Sequence, residues 1–240
     1  MLRIDLFSLS CYNTPKAVIF LNIKAAIFDM DGTLVDSLML WDVLWSTFGE
    51  IYLNDKSFVP SVEDDKKVRT LTLKDAMYLI HKNYKLGESG EELLALANVI
   101  MKDFYANSVE LKSGVREFLE YCKNKGVKMC IASATAPELI DVAMNHCNIG
   151  KYFLQVFSCG TIGKGKDEPD VFLQAIEFLG AEIKETWVFE DSLTAIETAT
   201  KIGMPTVGIY DCYNFGQDRI KKIATEYISE RETILKLTKS

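Results

Sequence analysis

Runs of apolar residues alternate with amphipathic helical patterns along the second half of the chain. Apolar residues at positions i, i+3, i+4 and i+7 indicate a helix, whereas a short continuous apolar run between turn residues indicates a buried strand. On these criteria the sequence predicts helices at 115–124, 137–147, 169–180 and 193–202, and strands at 127–132, 153–158, 186–190 and 205–210. Because helices and strands alternate, we expect βαβ units and a parallel sheet.

Another apolar run, near the N-terminus, predicts a strand at 25–29. Together with the later elements it predicts an α/β fold, in which a doubly wound, Rossmann-like parallel sheet has helices on both faces. Ligands of such folds bind at the carboxyl ends of the strands. The functional residues are therefore expected among the polar residues that directly follow the strands.

Between Leu38 and about Glu110 the pattern changes to helices without strands. The apolar stripes of these helices are Trp41, Leu44, Trp45 and Phe48; Leu73, Ala76, Met77, Ile80 and Tyr84; and Leu93, Ala97, Ile100 and Phe104. We therefore predict a core domain at 23–37 and 111–240, and an inserted helical domain at 38–110. Residues 1–22 form an N-terminal extension, which the sequence leaves open as an extra strand, a flexible tail or a result of the choice of start site.

Composition and charge narrow the class of protein. The 240 residues are 48% hydrophobic and 25% charged, as is usual for a globular protein. The formal net charge is −7 and no basic tract is present, which argues against a nucleic-acid partner. The apolar run at 16–21 is too short to cross a membrane, so we expect no membrane association.

The cysteines and histidines give no sign of a metal or disulfide framework. The six cysteines form no C-x-x-C pair, and the chain has only two histidines. We therefore expect reduced thiols in a cytoplasmic protein, without a zinc site. A monomer is the simplest expectation for the oligomeric state.

Two aspartates directly follow the first predicted strand. The segment reads Asp29-Met30-Asp31-Gly32-Thr33, and residues i and i+2 of an extended chain point to the same side. Two carboxylates about 4 Å apart repel by roughly 4 kcal/mol at an effective dielectric constant of about 20. Because Mg²⁺ or a similar ion would offset this repulsion, the pair predicts a metal site. A surface turn is the alternative, since aspartate and glycine are common in turns.

Three segments downstream argue against a simple turn. They are, in chain order, Ser133-Ala134-Thr135 after strand 127–132, Lys164-Gly165-Lys166-Asp167-Glu168-Pro169-Asp170 at the start of helix 169–180, and Glu190-Asp191-Ser192 at the end of strand 186–190. In this order the four segments resemble the four motifs of the haloacid dehalogenase (HAD) superfamily of phosphotransferases. The resemblance covers roughly residues 23–210, and it implies that the inserted helices form a cap over the active site.

The resemblance also implies roles for individual residues. Asp29 would be the nucleophile that forms an aspartyl-phosphate, and Asp31 the general acid and base. Ser133, Ala134 and Lys166 would bind the phosphoryl group.

The same resemblance implies a magnesium site and a choice between two lysines. The ligands of Mg²⁺ would be a carboxylate oxygen of Asp29, the backbone carbonyl of Asp31 and the carboxylate of Asp191, with Glu190 beside them. Lys166 is preferred to Lys164 because K-D-E-P-D matches the K-P-x-P-D of the family, with aspartate in place of its first proline.

Within the superfamily the resemblance implies a phosphatase that acts on a small phosphorylated metabolite. The second aspartate, Asp31, argues against a 2-haloacid dehalogenase, which lacks it. The lysines of the inserted helices show no apolar setting that would lower a pKa, which argues against a phosphonate hydrolase with a Schiff-base lysine. A non-catalytic binding protein on the same fold is a further alternative.

The main rival is a sugar phosphate mutase similar to β-phosphoglucomutase. Such mutases have a histidine soon after the first motif and an arginine in the cap that holds the distal phosphate. This chain has Trp41 and Leu73 at the aligned positions, and Arg69 is the only arginine in the predicted cap. A mutase must hold a bisphosphate intermediate at both ends, so these differences favour hydrolysis.

Overall fold

The structure is a computed structural model that describes residues 23–69 and 71–238. The predicted N-terminal extension, with Cys11, lies outside these residues. The strands are β1 Ala25–Phe28, β2 Val35–Asp36, β3 Glu110–Leu111, β4 Lys128–Ser133, β5 Val156–Ser158, β6 Thr186–Glu190, β7 Thr206–Ile209 and β8 Glu226–Ile228. The α-helices are α1 Leu40–Leu53, α2 Val62–Val68, α3 Leu73–Tyr84, α4 Gly90–Asn107, α5 Val115–Asn124, α6 Pro137–His146, α7 Cys159–Ile162, α8 Asp170–Leu179, α9 Leu193–Lys201 and α10 Gln217–Ile223.

A six-stranded sheet forms the centre of the molecule, in the order β5-β4-β1-β6-β7-β8. Each neighbouring pair in this sheet is parallel, which confirms the predicted α/β fold with a parallel sheet. The predicted strand at 153–158 is shorter than expected, because Gly150–Tyr152 forms a 3₁₀ turn and the strand begins at Val156. The edge strand β8 was not predicted, since its three residues carry no apolar run.

The side chains of β1 alternate between two hydrophobic clusters. Ala26 and Phe28 belong to the cluster on one face of the sheet, and Ala25 and Ile27 belong to the cluster on the other. Phe28 stacks on Phe189 of β6, with ring centroids 4.4 Å apart. A strand that is buried on both faces reads as a continuous apolar run, which is how β1 appears in the sequence.

The inserted segment between β2 and β3 contains α1 to α4. Its buried residues form a hydrophobic cluster of their own, made of Leu44, Trp45, Phe48, Val68, Ala76, Met77, Ile80, Leu86, Leu93 and Ala97. The side chains of Ser61, Thr72 and Ser89 accept hydrogen bonds at the starts of α2, α3 and α4, which fixes where these helices begin.

A short antiparallel pair joins the entry and the exit of this insertion. Val35 of β2 lies opposite Leu111 of β3, and Asp36 lies opposite Glu110. Strands of two residues have no periodicity, so the sequence did not predict them. Within the described ranges no helix is both long enough and apolar enough to cross a membrane.

Candidate active site

A tight turn follows β1 at the centre of the sheet. The backbone N–H of Asp29 donates to the carbonyl of Phe189 (2.9 Å), and the N–H groups of Leu34 and Val35 donate to the carbonyl of Met30 (2.9 and 3.0 Å). Gly32 has a φ of 76°, and a Cβ at this position would collide with the carboxylate of Asp191. Glycine is therefore required both by the backbone conformation and by the close approach of Asp191.

Asp29, Glu190 and Asp191 form a buried acidic cluster at the ends of β1 and β6. Phe28 pairs with Phe189 in the sheet, so the residues that follow them are neighbours. One carboxylate oxygen from each of the three residues lies within 4.8 Å of the others, and the residues are 7%, 1% and 2% exposed, respectively. The carboxylates of Asp29, Glu190 and Asp191, which were predicted at the metal site, thus lie together. The ligand predicted from Asp31 was its backbone carbonyl.

Burial shapes the electrostatics of this cluster. Burial, and then the charge of Glu190, raise the pKa of Asp29 to about 8, although Lys166 opposes the shift. Burial also raises the pKa of Asp191 well above its usual range, with a further contribution from the charges of Glu190 and Asp29. Three carboxyl groups held this close are unfavourable as anions unless positive charge is added.

Lys166 supplies positive charge from the loop between α7 and α8. Its Nζ donates to Oδ1 of Asp29 and to Oε2 of Glu190, the latter at 2.7 Å. Burial lowers the pKa of Lys166, but the charges of Asp29 and Glu190 outweigh burial and keep the lysine protonated. Lys164 is exposed instead and pairs with Glu168 and Asp170. Of the two lysines, only Lys166 contacts the cluster.

The carboxylate of Asp31 is not a member of this three-residue cluster, and it accepts three hydrogen bonds from hydroxyl groups. Oδ1 accepts from Ser37 and from Tyr105, each at 2.6 Å, and Oδ2 accepts from Thr135 at 2.7 Å. These donors lie after β2, on α4 and after β4. Asp31 therefore connects the turn after β1, the end of the insertion and the loop before α6.

Ser133 and Ala134 lie where β4 ends. The hydroxyl of Ser133 is buried and accepts a hydrogen bond from the backbone N–H of Thr135 (3.1 Å), whereas Ala134 is exposed. Ser158, in the next strand, donates to the carbonyl of Thr135 (3.1 Å). These contacts order the loop between β4 and α6, and the predicted contacts of Ser133 and Ala134 with a phosphoryl group stay predictions.

Several residues of the site were not assigned a role from the sequence. Thr33 Oγ1 donates to Oδ1 of Asp191 (2.9 Å), and the side-chain amide of Asn214 donates to Oδ2 of the same residue. Tyr105 was not predicted either. Asn214 lies in a loop with no regular pattern, and Tyr105 lies on the buried side of a helix, so neither has a local signal.

The donor set of the cluster fits a hard divalent cation. All three groups are carboxylates, and the five cysteines of the described part of the chain are free. Oxygen-only ligands are typical of Mg²⁺ and Ca²⁺ sites, whereas zinc sites usually contain cysteine or histidine. The three carboxylates could therefore hold one divalent ion.

Comparisons with known proteins indicate one protein family. A profile of the family described as "Haloacid dehalogenase-like hydrolase" matches residues 26–209. The chain is 24% identical over 213 residues to "Phosphorylated carbohydrates phosphatase" of Thermotoga maritima, which covers 88% of this chain and 96% of that protein. It is also 24% identical over 201 residues to phosphoglycolate phosphatase of Pseudomonas putida, which covers 81% of this chain and 72% of that protein.

A solved structure gives the same fold. The crystal structure of β-phosphoglucomutase from Clostridium difficile matches with a TM-score of 0.67 at 18% identity, covering 86% of this chain and 91% of that one. At this level of identity the match supports the fold alone.

Proposed function

We propose a function for this chain, which belongs to the haloacid dehalogenase-like hydrolases. It is a magnesium-dependent phosphatase that hydrolyses a small phosphate monoester through an aspartyl-phosphate. One observation carries the proposal: Lys166 donates to both Asp29 and Glu190 beside the third carboxylate, Asp191. A nucleophile, a cation and a metal-binding group therefore meet at the carboxyl end of the sheet. Phosphoryl transfer depends mainly on such positioning and on compensation of negative charge.

The residues that would hold Mg²⁺ are Asp29, Asp191 and the backbone carbonyl of Asp31, with Glu190 adjacent. When bound, the ion supplies positive charge that lowers the repulsion between a carboxylate nucleophile and a phosphate dianion. Lys166, which contacts Asp29, would contribute to the same balance of charge. Glu190 accepts a hydrogen bond from Lys166, so it helps to fix the direction of the lysine side chain.

The reaction follows from the two aspartates. A carboxylate oxygen of Asp29 attacks phosphorus, the bond from phosphorus to the ester oxygen breaks, and Asp31, which carries a proton at this stage, gives it to that oxygen. Asp31 then takes a proton from a water molecule, which attacks phosphorus and releases Asp29 with inorganic phosphate. Ser133 and the backbone amide of Ala134 would hold the phosphoryl oxygens, next to the N-terminus of α6.

The insertion at 38–110 would act as a cap over this site. It has its own hydrophobic cluster. It leaves the core at β2, directly after the turn that carries Asp31, and it rejoins the core at β3. A cap that excludes bulk water strengthens the electrostatic interactions of the site and selects substrates by shape. The names of the two phosphatase relatives suggest a phosphorylated sugar or a similar small metabolite as the substrate.

A sugar phosphate mutase is the second candidate, and one observation favours it. Asp65 accepts hydrogen bonds from Nε and Nη2 of Arg69 (2.9 and 3.2 Å), but Nη1 is buried and has no partner in the described part of the chain. The guanidinium also lies near the ring of Tyr213, whose neighbour Asn214 contacts Asp191. The N–H groups of Nη1 could donate to a second anionic group of a substrate in this position.

The two candidates differ in their products. Purified protein is incubated with a panel of phosphate monoesters, with and without Mg²⁺, and β-glucose 1-phosphate is assayed in parallel for glucose 6-phosphate. Release of phosphate that depends on Mg²⁺ supports the phosphatase. Isomerised sugar phosphate with little free phosphate supports the mutase, and inactivity on every ester with the metal present argues against both.

Replacement of Asp31 by asparagine is expected to lower kcat by about 10²- to 10⁴-fold, since a general acid and base is lost. Both the formation and the hydrolysis of the phosphorylated enzyme should slow, which single-turnover measurements can separate. Tyr105→Phe is the matched comparison, because it removes one of the three hydroxyl donors and leaves the carboxylate in place. A loss of kcat in Tyr105→Phe as large as that in Asp31→Asn would assign the effect to the hydrogen-bond network instead.

A further inference from the structure

The loop between β7 and α10, residues 210–216, is held at its base by a partly buried ion pair. Nζ of Lys112, which follows β3, donates to the carbonyl of Tyr210 (3.0 Å) and to Oδ2 of Asp211 (2.7 Å). Asp211 is 3% exposed, and its Oδ1 accepts from the backbone N–H of Tyr213 (2.9 Å). Its carbonyl accepts from the backbone N–H of Asn214 (3.2 Å). The position of Asn214 is therefore set by the exit of the insertion as well as by the sheet.

From this loop, Asn214 reaches the acidic cluster. Its side-chain amide donates to Oδ2 of Asp191, while Thr33 donates to Oδ1. The two oxygens of one carboxylate are thus each held by a neutral donor, which fixes the orientation of the carboxylate without adding charge. If residue 214 had no hydrogen-bond donor in its side chain, Oδ2 of the buried Asp191 carboxylate would lose this hydrogen bond.

The residues on both sides of Asn214 contact the insertion. The ring centroid of Tyr213 lies 5.6 Å from Cζ of Arg69, and the same guanidinium lies 5.8 Å from the ring centroid of Trp41 on α1. The ring centroid of Phe215 lies 4.6 Å from Nζ of Lys66 on α2. Movement of the insertion away from the core would break both contacts and release the loop at the two residues next to Asn214.

We infer that Asn214 is a positioning residue for Asp191 and that loop 210–216 couples the docking of α2 to the metal cluster. The inference rests on the proposed function, because it takes Asp191 to be a metal ligand. Groups that orient a metal ligand commonly change metal affinity by about 10- to 100-fold when they are removed. Because coupling between sites is reciprocal, metal at the cluster also favours the docked position of the insertion.

The first test measures the binding of Mg²⁺ by titration calorimetry and the melting temperature in EDTA. Asn214→Ala should weaken Mg²⁺ binding by about 10-fold or more, with a much smaller effect on the melting temperature. The control is Asn107→Ala, which removes an amide-to-carboxylate hydrogen bond between Asn107 and Asp103 on the exposed surface of α4. Its affinity for Mg²⁺ should equal that of the wild type.

Unchanged Mg²⁺ affinity in Asn214→Ala would overturn the positioning role, even if the melting temperature fell. A wild-type protein that did not bind Mg²⁺ at all would instead overturn the proposed metal, and this inference with it. The two failures are distinguished by the wild-type titration alone.

The second test addresses the coupling. Tyr213→Ala removes the contact with Arg69 and should weaken Mg²⁺ binding by about three-fold or more in the wild-type background. In the Asn214→Ala background the same change should have little further effect, because its influence acts through the missing amide. Independent, multiplicative losses in the double variant, or no loss in Tyr213→Ala, would overturn the coupling.

Discussion

Asp29→Asn is expected to lower kcat for a phosphate monoester by about 10⁴-fold or more, since loss of a nucleophile typically has an effect of this size. The change removes the oxygen that attacks phosphorus in the proposed mechanism, and it keeps the volume of the side chain. The backbone hydrogen bond from Asp29 to Phe189 does not involve the carboxylate, so the fold should persist. Phosphate release on the best ester of the panel gives the measurement. Undiminished kcat would exclude Asp29 as the nucleophile.

The same variant is expected to gain stability relative to the wild type as the pH rises, in the absence of metal. Burial, with the charge of Glu190, raises the pKa of Asp29 to about 8, above its value in the unfolded chain. A carboxyl group whose pKa is higher in the folded than in the unfolded protein lowers the free energy of unfolding progressively as the pH rises from the unfolded-state pKa towards the folded-state pKa. Melting temperatures in EDTA at about pH 5 and pH 8 give the test. An equal difference in melting temperature between Asp29→Asn and the wild type at both pH values would contradict the expectation.

The HAD family and the α/β fold could be predicted from the sequence, and the family comparison and the parallel sheet confirm them. The names of the two phosphatase relatives agree with the predicted activity. The physical reason is visible in β1 and β6. Both are mainly apolar runs at the centre of a parallel sheet; β1 is followed directly by Asp29, and β6 ends at Glu190. Strands that pair in parallel bring their carboxyl ends together, so the polar residues that follow them must meet.

The partners of these residues could not be predicted in the same way. Tyr105 is separated from Asp31 by 74 residues and occupies a buried position in the last turn of α4. In the sequence a buried tyrosine cannot be told from any other core aromatic residue, because its hydroxyl partner depends on how two elements pack. Asn214 poses the same problem, since its loop is shaped by the contact between Lys112 and Asp211.

The position of the Asp31 carboxylate also required the structure. From the spacing of the two aspartates, both carboxylates were expected on one side of the chain. Gly32 has a positive φ in the turn that follows, and the hydroxyl groups of Ser37, Tyr105 and Thr135 hold the Asp31 carboxylate in place. A period-two argument applies to an extended strand, and β1 ends at Phe28, before either aspartate.

Lys166→Met is expected to lower kcat by about 10²- to 10³-fold, because the proposed mechanism loses the cation that faces the reacting phosphoryl group. The side chain of Lys166 is 11% exposed and contacts two buried carboxylates, Asp29 and Glu190. Removal of one partner from a buried ion pair costs about 3–5 kcal/mol, so the free energy of unfolding without metal should fall by an amount of this order. Methionine keeps the apolar length of the side chain, which limits the cavity that the change creates.

Lys164→Met is the matched control for this prediction. Lys164 is two residues away, but its side chain is 47% exposed and pairs with Glu168 and Asp170 at the surface. Exposed pairs contribute about 0–1 kcal/mol, so both kcat and stability should stay close to the wild type. Urea unfolding in EDTA and phosphate release with Mg²⁺ compare the two variants directly. A larger loss of kcat in Lys164→Met than in Lys166→Met would mean that the catalytic cation is Lys164, and that the contact of Lys166 with Asp29 only stabilises the resting enzyme.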